Sequence, residues 1–158
     1  MKKTALEKLV GLVAKLRSPK GCPWDREQTH LSLIRYLHEE ARELAAALKK
    51  GNPHDVEDEL GDVLLQVLLH AQIAREAGVF DIEDVALSQY HKLRRRHPHV
   101  FGRRRFKTAA DVLRHWSEIK RAERRLRERD LLRRVRTKAA VPDPKVAFPL
   151  GTAARAVK

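Results

Sequence analysis

Residues 31–69 read LSLIRYLHEEARELAAALKKGNPHDVEDELGDVLLQVLL, a pattern that describes two helices joined by a tight turn. In the first half, apolar residues recur every three or four positions, which is the spacing of one helix face. Gly51-Asn52-Pro53 ends this helix, because glycine favours a helix C-terminus and proline cannot continue the helix. The pattern therefore predicts a helix from about Thr29 to this turn. Its apolar positions are Leu31, Ile34, Leu37, Ala41, Leu44 and Leu48.

The second helix of this pair, predicted from about His54 to Ala77, is apolar on more than one face. Its apolar residues are Val56, Leu60, Val63, Leu64, Leu65, Val67, Leu68, Leu69 and Ile73. Such a helix must be surrounded by other elements. The pattern favours a helical bundle completed by a second copy of the chain, that is, a homodimer. A central helix wrapped entirely by its own chain is the alternative.

Three further helices are predicted, and no strand. The loop over residues 18–25 contains two prolines and a glycine, and we expect it to lack regular structure. The last helix opens on Thr108, three residues before Asp111, which resembles a capping box with a shortened carboxylate. The predicted fold class is therefore all-α. The three additional helices are expected over residues 4–17, 81–97 and 108–138.

Charge is unevenly distributed along the 158 residues, whose formal net charge is +13. Residues 1–102 hold 16 basic and 15 acidic residues, a net of +1. Residues 103–158 hold 18 basic and 6 acidic residues, a net of +12. A basic average suggests a nucleic-acid partner, but only the last third carries that suggestion. We expect one domain over residues 1–125 and a basic helical extension with a proline-containing tail over residues 126–158.

Composition also limits the compartment and the chemistry. The single cysteine, Cys22, excludes an intramolecular disulfide and a thiolate zinc site, and a reducing cytoplasm is the simplest location. The longest apolar stretch, residues 63–69, is far shorter than the ~20 residues of a membrane span. Charged residues such as Glu7 and Lys8 interrupt any signal-peptide core near the start. We therefore expect a cytoplasmic protein without a membrane partner.

Two pairs of carboxylates lie on the paired helices. Glu40 and Glu43 are three residues apart, as are Glu59 and Asp62, so each pair shares a helix face beside the apolar stripe. If the helices run antiparallel, the two pairs lie at similar heights. Four converging carboxylates repel one another unless a cation compensates. All-oxygen ligands suit Mg²⁺, with Mn²⁺ as an alternative, rather than zinc or copper. Solvated acidic helix faces without a metal are the other reading.

Cationic side chains gather near the end of the fourth predicted helix. Lys92 lies three residues before Arg95 and four before Arg96, so one face presents paired cations. Trp116 and Lys120 are four residues apart on the fifth helix. Arginine and lysine bind phosphates by charge and directional hydrogen bonds. Together with a carboxylate-bound metal, they indicate metal-assisted phosphate-ester or anhydride chemistry. Favourable charge at a helix C-terminus is the simpler explanation of Lys92 and Arg96 alone.

These residues match a family signature. Glu39-Glu40-Ala41-Arg42-Glu43, followed after 15 residues by Glu59-Leu60-Gly61-Asp62, resembles the EExxE…ExxD motif of the MazG-type nucleoside triphosphate pyrophosphohydrolases. The resemblance covers about residues 5–125. Three flanking stretches also resemble the family. They are Gly21-Cys22-Pro23-Trp24-Asp25, Arg95-Arg96-His97-Pro98-His99-Val100-Phe101 and Trp116-Ser117-Glu118-Ile119-Lys120.

The resemblance implies an all-α fold of the NTP pyrophosphatase type, usually a homodimer, that binds Mg²⁺. It also implies hydrolysis of a nucleoside triphosphate to the monophosphate and pyrophosphate. By the same resemblance, Glu40, Glu43, Glu59 and Asp62 hold the metal, and Glu39 acts beside them or accepts the water proton. Phosphate oxygens are expected to meet Lys92, Arg95 or Arg96, and Lys120, and Trp116 to line the nucleotide site.

The sequence departs from the family pattern in the number of domain copies. Proteins of this family often carry two copies of the domain, whereas this sequence contains one, which resembles the first copy best. Retention of all four carboxylates favours an active domain. The alternative is a catalytically weak dimeric module that binds nucleotides or nucleic acid through the basic C-terminal helix. The sequence contains no phosphate-binding P-loop and no GxGxxG motif, so ATP-driven motors and dinucleotide enzymes are excluded.

Overall fold

The computed structural model describes residues 2–136, and the side chains of these residues except 127 and 130–136. Within this range the secondary structure is helical and contains no strand, which confirms the all-α prediction. No helix in residues 2–136 has both the length and the hydropathy that a membrane span requires. The helices are α1 (Ala5–Leu16), α2 (Pro23–Glu27), α3 (Ile34–Lys50), α4 (Pro53–Glu76), α5 (Ile82–Arg96), α6 (Pro98–Phe101) and α7 (Ala109–Arg136).

The described chain divides into two compact units, residues 2–82 and residues 83–136. Helices α1 to α4 lie in the first unit, and the second contains α6, α7 and almost all of α5. The α7 helix continues past residue 125, and the division into a domain over residues 1–125 and an extension stays a prediction. The predicted end of this helix near Lys138, and the proline-containing tail, lie outside the described residues.

The α3–α4 hairpin forms the centre of the first unit, as the sequence predicts. Gly51 adopts a left-handed conformation with φ of 75°, which glycine reaches without the steric cost that a Cβ imposes. Asn52 then caps α4, because its side-chain oxygen accepts a hydrogen bond from the backbone N–H of His54 at 3.1 Å. Pro53 occupies the first turn of α4, where its missing N–H costs nothing. The chain thereby reverses its direction between α3 and α4 within a single turn.

The core of the first unit joins α1, the segment before α3, and the C-terminal half of α4. Its buried members are Val13, Leu33, Leu68, Leu69 and Ile73. The N-terminal half of α4 is more open, with Leu60 52% and Leu64 37% exposed, and Val67 just past the helix midpoint is 39% exposed. The prediction that α4 needs to be surrounded therefore holds for its second half within one chain. Large apolar side chains of its first half stay in solvent.

Two local expectations for the segment before α3 are wrong. The loop over residues 18–25 was expected to lack regular structure, yet Pro23 begins the short helix α2, because proline favours the first position of a helix. Arg17 holds this segment, since its guanidinium donates hydrogen bonds to the backbone oxygens of Asp25 and Gln28. The next helix begins at Ile34 rather than near Thr29, because residues 29–33 form hydrogen-bonded turns.

Helices α5 and α7 make the second unit. Thr108 and Asp111 form the predicted cap of α7: each backbone N–H donates to the other residue's side chain at 3.2 Å. Trp116 lies against His97 with its ring edge-on, at 5.0 Å between centroids. Its indole Nε1 donates a hydrogen bond to the backbone oxygen of Arg96 at 3.0 Å. The end of α5 is therefore tied to the N-terminal third of α7.

Candidate metal centre

Three carboxylates converge on the α3–α4 hairpin. One carboxylate oxygen from each of Glu40, Glu43 and Glu59 lies within 4.8 Å of the others. The turn explains this register, because Glu43 precedes Gly51 by as many residues as Glu59 follows it. Glu40 likewise precedes Gly51 by as many residues as Asp62 follows it, and both lie about one helical turn further from Gly51 than Glu43 and Glu59. The antiparallel pairing thus brings together the residues that the sequence places at similar heights.

The carboxylates of this centre affect one another electrostatically. Burial raises the pKa of Glu40, and the charges of Asp62 and Glu43 raise it further. Burial also raises the pKa of Glu59, followed by the charges of Glu43 and Asp62. Both ionised forms are therefore disfavoured by desolvation and by like charge. Asp62 stands outside the three-residue group but contributes charge to both glutamates.

The donors present fit a hard divalent cation. Glu59 Oε2 is buried and has no hydrogen-bond partner among the described residues. A buried carboxylate oxygen without a partner is costly, and a bound cation would remove that cost. All the converging atoms are carboxylate oxygens. Mg²⁺ and Mn²⁺ prefer such ligands, whereas zinc and copper favour sites with nitrogen or sulfur ligands. The full set of Glu40, Glu43, Glu59 and Asp62 as ligands stays a prediction.

Other acidic residues surround this centre without joining it. Glu39 is exposed, and its charge also raises the pKa of Glu40. Asp55 and Asp58 raise the pKa of Glu59 in the same way, and the sequence analysis assigned them no role. Their position in the first two turns of α4 could have indicated them, because acidic residues are favourable near the N-terminus of a helix.

The predicted phosphate-binding residues lie in the second unit, where two of them already have a partner. Glu123 on α7 forms ion pairs with both Arg95 and Arg96 on α5. These hydrogen bonds hold the pKa of Glu123 at about 2, well below its usual range. Glu123 is not among the binding residues predicted from the sequence. No local pattern could have found it, because its partners lie 27 and 28 residues away along the chain.

The remaining predicted binding residues of the second unit differ in exposure. Lys120 is exposed and Lys92 is half-buried, and neither forms an ion pair with a described residue. Trp116 is half-buried and is engaged with His97 and the Arg96 backbone as described above. Their contact with a nucleotide stays a prediction.

A cationic depression of about 530 Å³ opens in the second unit beside Arg95. Its other lining residues are His91, Arg94, Pro98, Phe101 and Gly102, to which the sequence analysis assigned no role in binding. Arg94 also donates a hydrogen bond to the Tyr90 hydroxyl at 2.7 Å. The depression therefore combines positive charge with the exposed phenyl ring of Phe101.

Comparison with known sequences identifies the fold family. The family profile described as the MazG nucleotide pyrophosphohydrolase domain matches residues 28–101. This range contains all five acidic candidates together with Lys92, Arg95 and Arg96, whereas Trp116 and Lys120 lie beyond it.

Several curated relatives align over most of the chain. A nucleoside triphosphate pyrophosphohydrolase/pyrophosphatase MazG from Thermotoga maritima is 52% identical over 118 residues, which are 75% of this chain and 45% of the relative. The nucleoside triphosphate pyrophosphohydrolase of Escherichia coli K12 is 41% identical over 75% of this chain and 46% of its own length. That of Mycobacterium tuberculosis H37Rv is 44% identical over 75% of this chain and 37% of its own length. The chain thus spans less than half the length of these relatives.

A solved structure agrees with these sequence matches. The crystal structure of a mazG-related protein from Thermotoga maritima has a TM-score of 0.59 to this chain at 28% sequence identity. The alignment covers 73% of this chain and 98% of that protein. The EExxE…ExxD residues, the convergence of Glu40, Glu43 and Glu59 on a helical hairpin, and the matched profile agree with one another. The chain carries a MazG-type nucleotide pyrophosphohydrolase domain over residues 28–101.

Proposed function

We propose that this chain hydrolyses nucleoside triphosphates to the nucleoside monophosphate and pyrophosphate with a bound divalent cation. The single observation that carries the proposal is the convergence of three carboxylates within 4.8 Å in a chain of the MazG family. Its relatives from Thermotoga maritima and Escherichia coli bear the name of this activity. The orphaned Glu59 Oε2 supports a cation at this point of the hairpin.

The assigned residues divide the work of the reaction. Glu40, Glu43, Glu59 and Asp62 hold Mg²⁺, which when bound lowers the pKa of a coordinated water and neutralises charge on the departing pyrophosphate. Mn²⁺ is the alternative ion. Lys92, Arg95, Arg96 and Lys120 bind phosphate oxygens by charge-assisted hydrogen bonds. Trp116 contributes an aromatic surface to the nucleoside.

Proton transfer is assigned to Glu39. The water oxygen forms a bond to the α-phosphorus while the bond to the α–β bridging oxygen breaks, and pyrophosphate leaves with that bond's electron pair. A carboxylate oxygen of Glu39 accepts the proton that the water loses. Glu39 suits this role because its side chain is exposed and lies close enough for its charge to raise the pKa of Glu40. No nucleophilic side chain is needed, and Cys22 keeps a structural role.

The assembly that we propose is a homodimer. Leu60 and Leu64 on the first half of α4, and Val67 just past its midpoint, are large apolar side chains that stay exposed in a single chain. Burial of apolar area stabilises association by about 25 cal/mol per Å² before the costs of association. A second copy covering this half of α4 would complete the bundle. We also propose that the protein works in the cytoplasm, where its triphosphate substrates are available.

The activity is tested by pyrophosphate release from a panel of NTPs and dNTPs with Mg²⁺. One pyrophosphate and one monophosphate are expected per triphosphate consumed. Glu59→Gln should lower kcat/KM roughly 100-fold or more, since metal-ion catalysis contributes several kcal/mol. Glu57→Gln is the matched control, because Glu57 is exposed two residues away on the same helix. Equal activity of wild type and Glu59→Gln would overturn the assignment.

A second candidate function is nucleic-acid binding by the basic unit. Residues 83–136 hold 18 basic and 7 acidic residues, a formal net of +11. Arg121, Arg124 and Arg125 on α7 are all exposed. Binding of this kind should weaken steeply with salt, because counterions are released from the phosphates. Fluorescence anisotropy with labelled DNA and RNA at 50 and 200 mM salt decides it: salt-independent or absent binding excludes this candidate.

A further inference from the structure

Glu123 occupies a position that the proposed mechanism does not use. Its side chain is only 14% exposed, yet it accepts hydrogen bonds from two guanidinium groups. Arg95 Nε donates to Glu123 Oε1 at 2.9 Å, and Arg95 Nη2 donates to the same oxygen. Arg96 Nη2 donates to Glu123 Oε2 at 2.6 Å. One carboxylate therefore orients both arginines at the end of α5.

This arrangement does not follow from α5 alone. Consecutive residues of a helix point in directions about 100° apart, so Arg95 and Arg96 do not converge by themselves. A partner on another helix is needed to bring both guanidinium groups to one place. Glu123 on α7 is that partner, and the hydrogen bond from Trp116 Nε1 to the Arg96 backbone oxygen holds the two helices in register.

Glu123 leaves the pair with binding capacity for an anion. Two arginines share one carboxylate, so a formal charge of +1 remains on the three side chains together. Arg95 Nη1 and Arg96 Nη1 make no hydrogen bond to a described residue. The Arg95 side chain is 55% exposed and lines the cationic depression of the second unit. A guanidinium that is held at its inner edge and open at its outer edge is prepared for a phosphate oxygen.

We propose that Glu123 is a positioning residue, which holds Arg95 and Arg96 in the orientation that receives the phosphate oxygens of the triphosphate. This proposal rests on the proposed function of the chain. Because Glu123 has a low pKa, it stays ionised throughout the working pH range and its hold on the arginines does not vary with pH. Ordering two long side chains before binding reduces the conformational entropy lost when the substrate arrives.

The test compares steady-state kinetics of the full chain and its variants on the triphosphate that the wild type cleaves fastest. Glu123→Gln keeps the side-chain size but removes the charge and one acceptor oxygen. We expect it to raise KM roughly tenfold with a much smaller change in kcat, since an interaction made before the reacting step contributes to binding. Glu123→Asp retains the charge on a shorter side chain and should give an intermediate KM. Glu118→Gln, an exposed position on the same helix, should leave KM unchanged.

Three results would overturn the proposal. An unchanged KM in Glu123→Gln, with a lower melting temperature alone, would mean that the ion pairs only join α5 to α7. A lower KM would mean that Glu123 competes with the substrate for the arginines. An equally large effect in Glu118→Gln would mean that the charge of α7, rather than Glu123, matters. Circular dichroism shows whether each variant is folded. If Glu123→Gln does not fold, the KM of folded Glu123→Asp is compared with that of the wild type instead.

Direct binding separates this proposal from the proposed function. Inorganic tripolyphosphate is titrated calorimetrically into the wild type and Glu123→Gln, without any need for turnover. An inactive wild type whose tripolyphosphate affinity falls in Glu123→Gln would contradict the hydrolytic function and support the positioning role. An active wild type with the same affinity in both proteins would support hydrolysis and reject the positioning role.

Discussion

Glutamate meets opposite environments in the two units of this chain. In the first unit, Glu40 and Glu59 are surrounded by other carboxylates, and their pKa values are raised by burial and like charge. In the second unit, Glu123 lies between two arginines, and its pKa falls to about 2. Residues 1–82 carry a formal net charge of −1, and residues 83–136 carry +11. The same side chain is thus surrounded by like charge in one unit and by opposite charge in the other.

The direction of the pKa shift distinguishes the candidate metal ligands Glu40 and Glu59 from Glu123. An acidic cluster alone is a weak signal, since acidic residues are common on solvated helix faces. A cluster that raises its own pKa values and buries an unpaired oxygen has an electrostatic reason to bind a cation. An acidic residue whose charge is neutralised by arginines packed against it, as in Glu123, has no comparable reason to bind a cation.

The largest expected effect is on stability in the presence of metal. We expect Mg²⁺ to raise the melting temperature of the wild type, because it binds the folded carboxylate cluster and not the unfolded chain. At a hundredfold excess over its dissociation constant, a ligand stabilises by about 2.7 kcal/mol, which corresponds to roughly 5–10 °C for a chain of this size. Differential scanning fluorimetry with Mg²⁺ and with EDTA measures the shift.

The control for this prediction lies in the other unit. Glu43→Gln should lose most of the Mg²⁺ shift, because Glu43 is one of the three converging carboxylates. Glu118→Gln should retain it, since Glu118 is exposed on α7. A shift of equal size in both variants would indicate non-specific ion effects and would break the contrast between the two units.

A second prediction concerns the sign of glutamate removal without metal. A raised carboxyl pKa means that the folded state binds more protons than the unfolded state, so stability falls as pH rises above 4.5 through the folded pKa. Glu59→Gln should therefore raise the melting temperature at pH 7.5 in EDTA. Glu123→Gln should lower it by several degrees, because Arg95 and Arg96 lose their partner. Shifts of the same sign in both variants would contradict the assignment of opposite environments.

Substitution of Gly51 in the turn between α3 and α4 should have a smaller effect on folding free energy. Gly51→Ala places a Cβ on a residue with φ of 75°, which costs about 1 kcal/mol of folding free energy. Chemical denaturation should show this loss, and a weaker Mg²⁺ shift should accompany it if the turn holds the carboxylates together. Gly11→Ala is the matched control: Gly11 lies within α1, nothing lies within 4 Å of an added Cβ, and the variant should gain about 0.5–1 kcal/mol.

The smallest expected effect comes from a histidine pair in the first unit. His30 Nδ1 and His70 Nδ1 share a hydrogen bond of 2.8 Å, and burial lowers the pKa of both residues. The nearby charge of Arg17 lowers the pKa of His30 further. The unfolded state therefore binds more protons below pH 6.5, so stability should fall as pH decreases from 7 towards 5.

Denaturation at several pH values measures this dependence in EDTA. His70→Gln should flatten the slope of stability between pH 7 and 5, although the variant starts from a lower stability. His54→Gln is the control, because His54 is exposed on α4 and should leave the slope unchanged. The slope separates the histidines from the carboxylates, since protonation of Glu40 and Glu59 changes stability in the opposite direction. A wild-type slope in His70→Gln would contradict the role of the pair.

Much of the first unit could be predicted because its determinants are local. The spacing of Glu40 and Glu43, and of Glu59 and Asp62, follows from the helix repeat. Gly51-Asn52-Pro53 reverses the chain within three residues, so the height of each pair follows from counting along two helices. The short helix α2 was not predicted, because the prolines of residues 18–25 indicate a loop, whereas Pro23 can also begin a helix.

The sequence by itself determined the all-α class, the helical hairpin and the acidic motif that identifies the MazG family. Only the tertiary structure decided the pairings that join distant positions: Glu123 with Arg95 and Arg96, His30 with His70, and Arg17 with Glu76. The physical reason is the range of the forces involved. Helix periodicity and turn geometry act within a few residues, whereas burial and ion pairing depend on which helices pack together. The pKa values that distinguish Glu59 from Glu123 come from that packing.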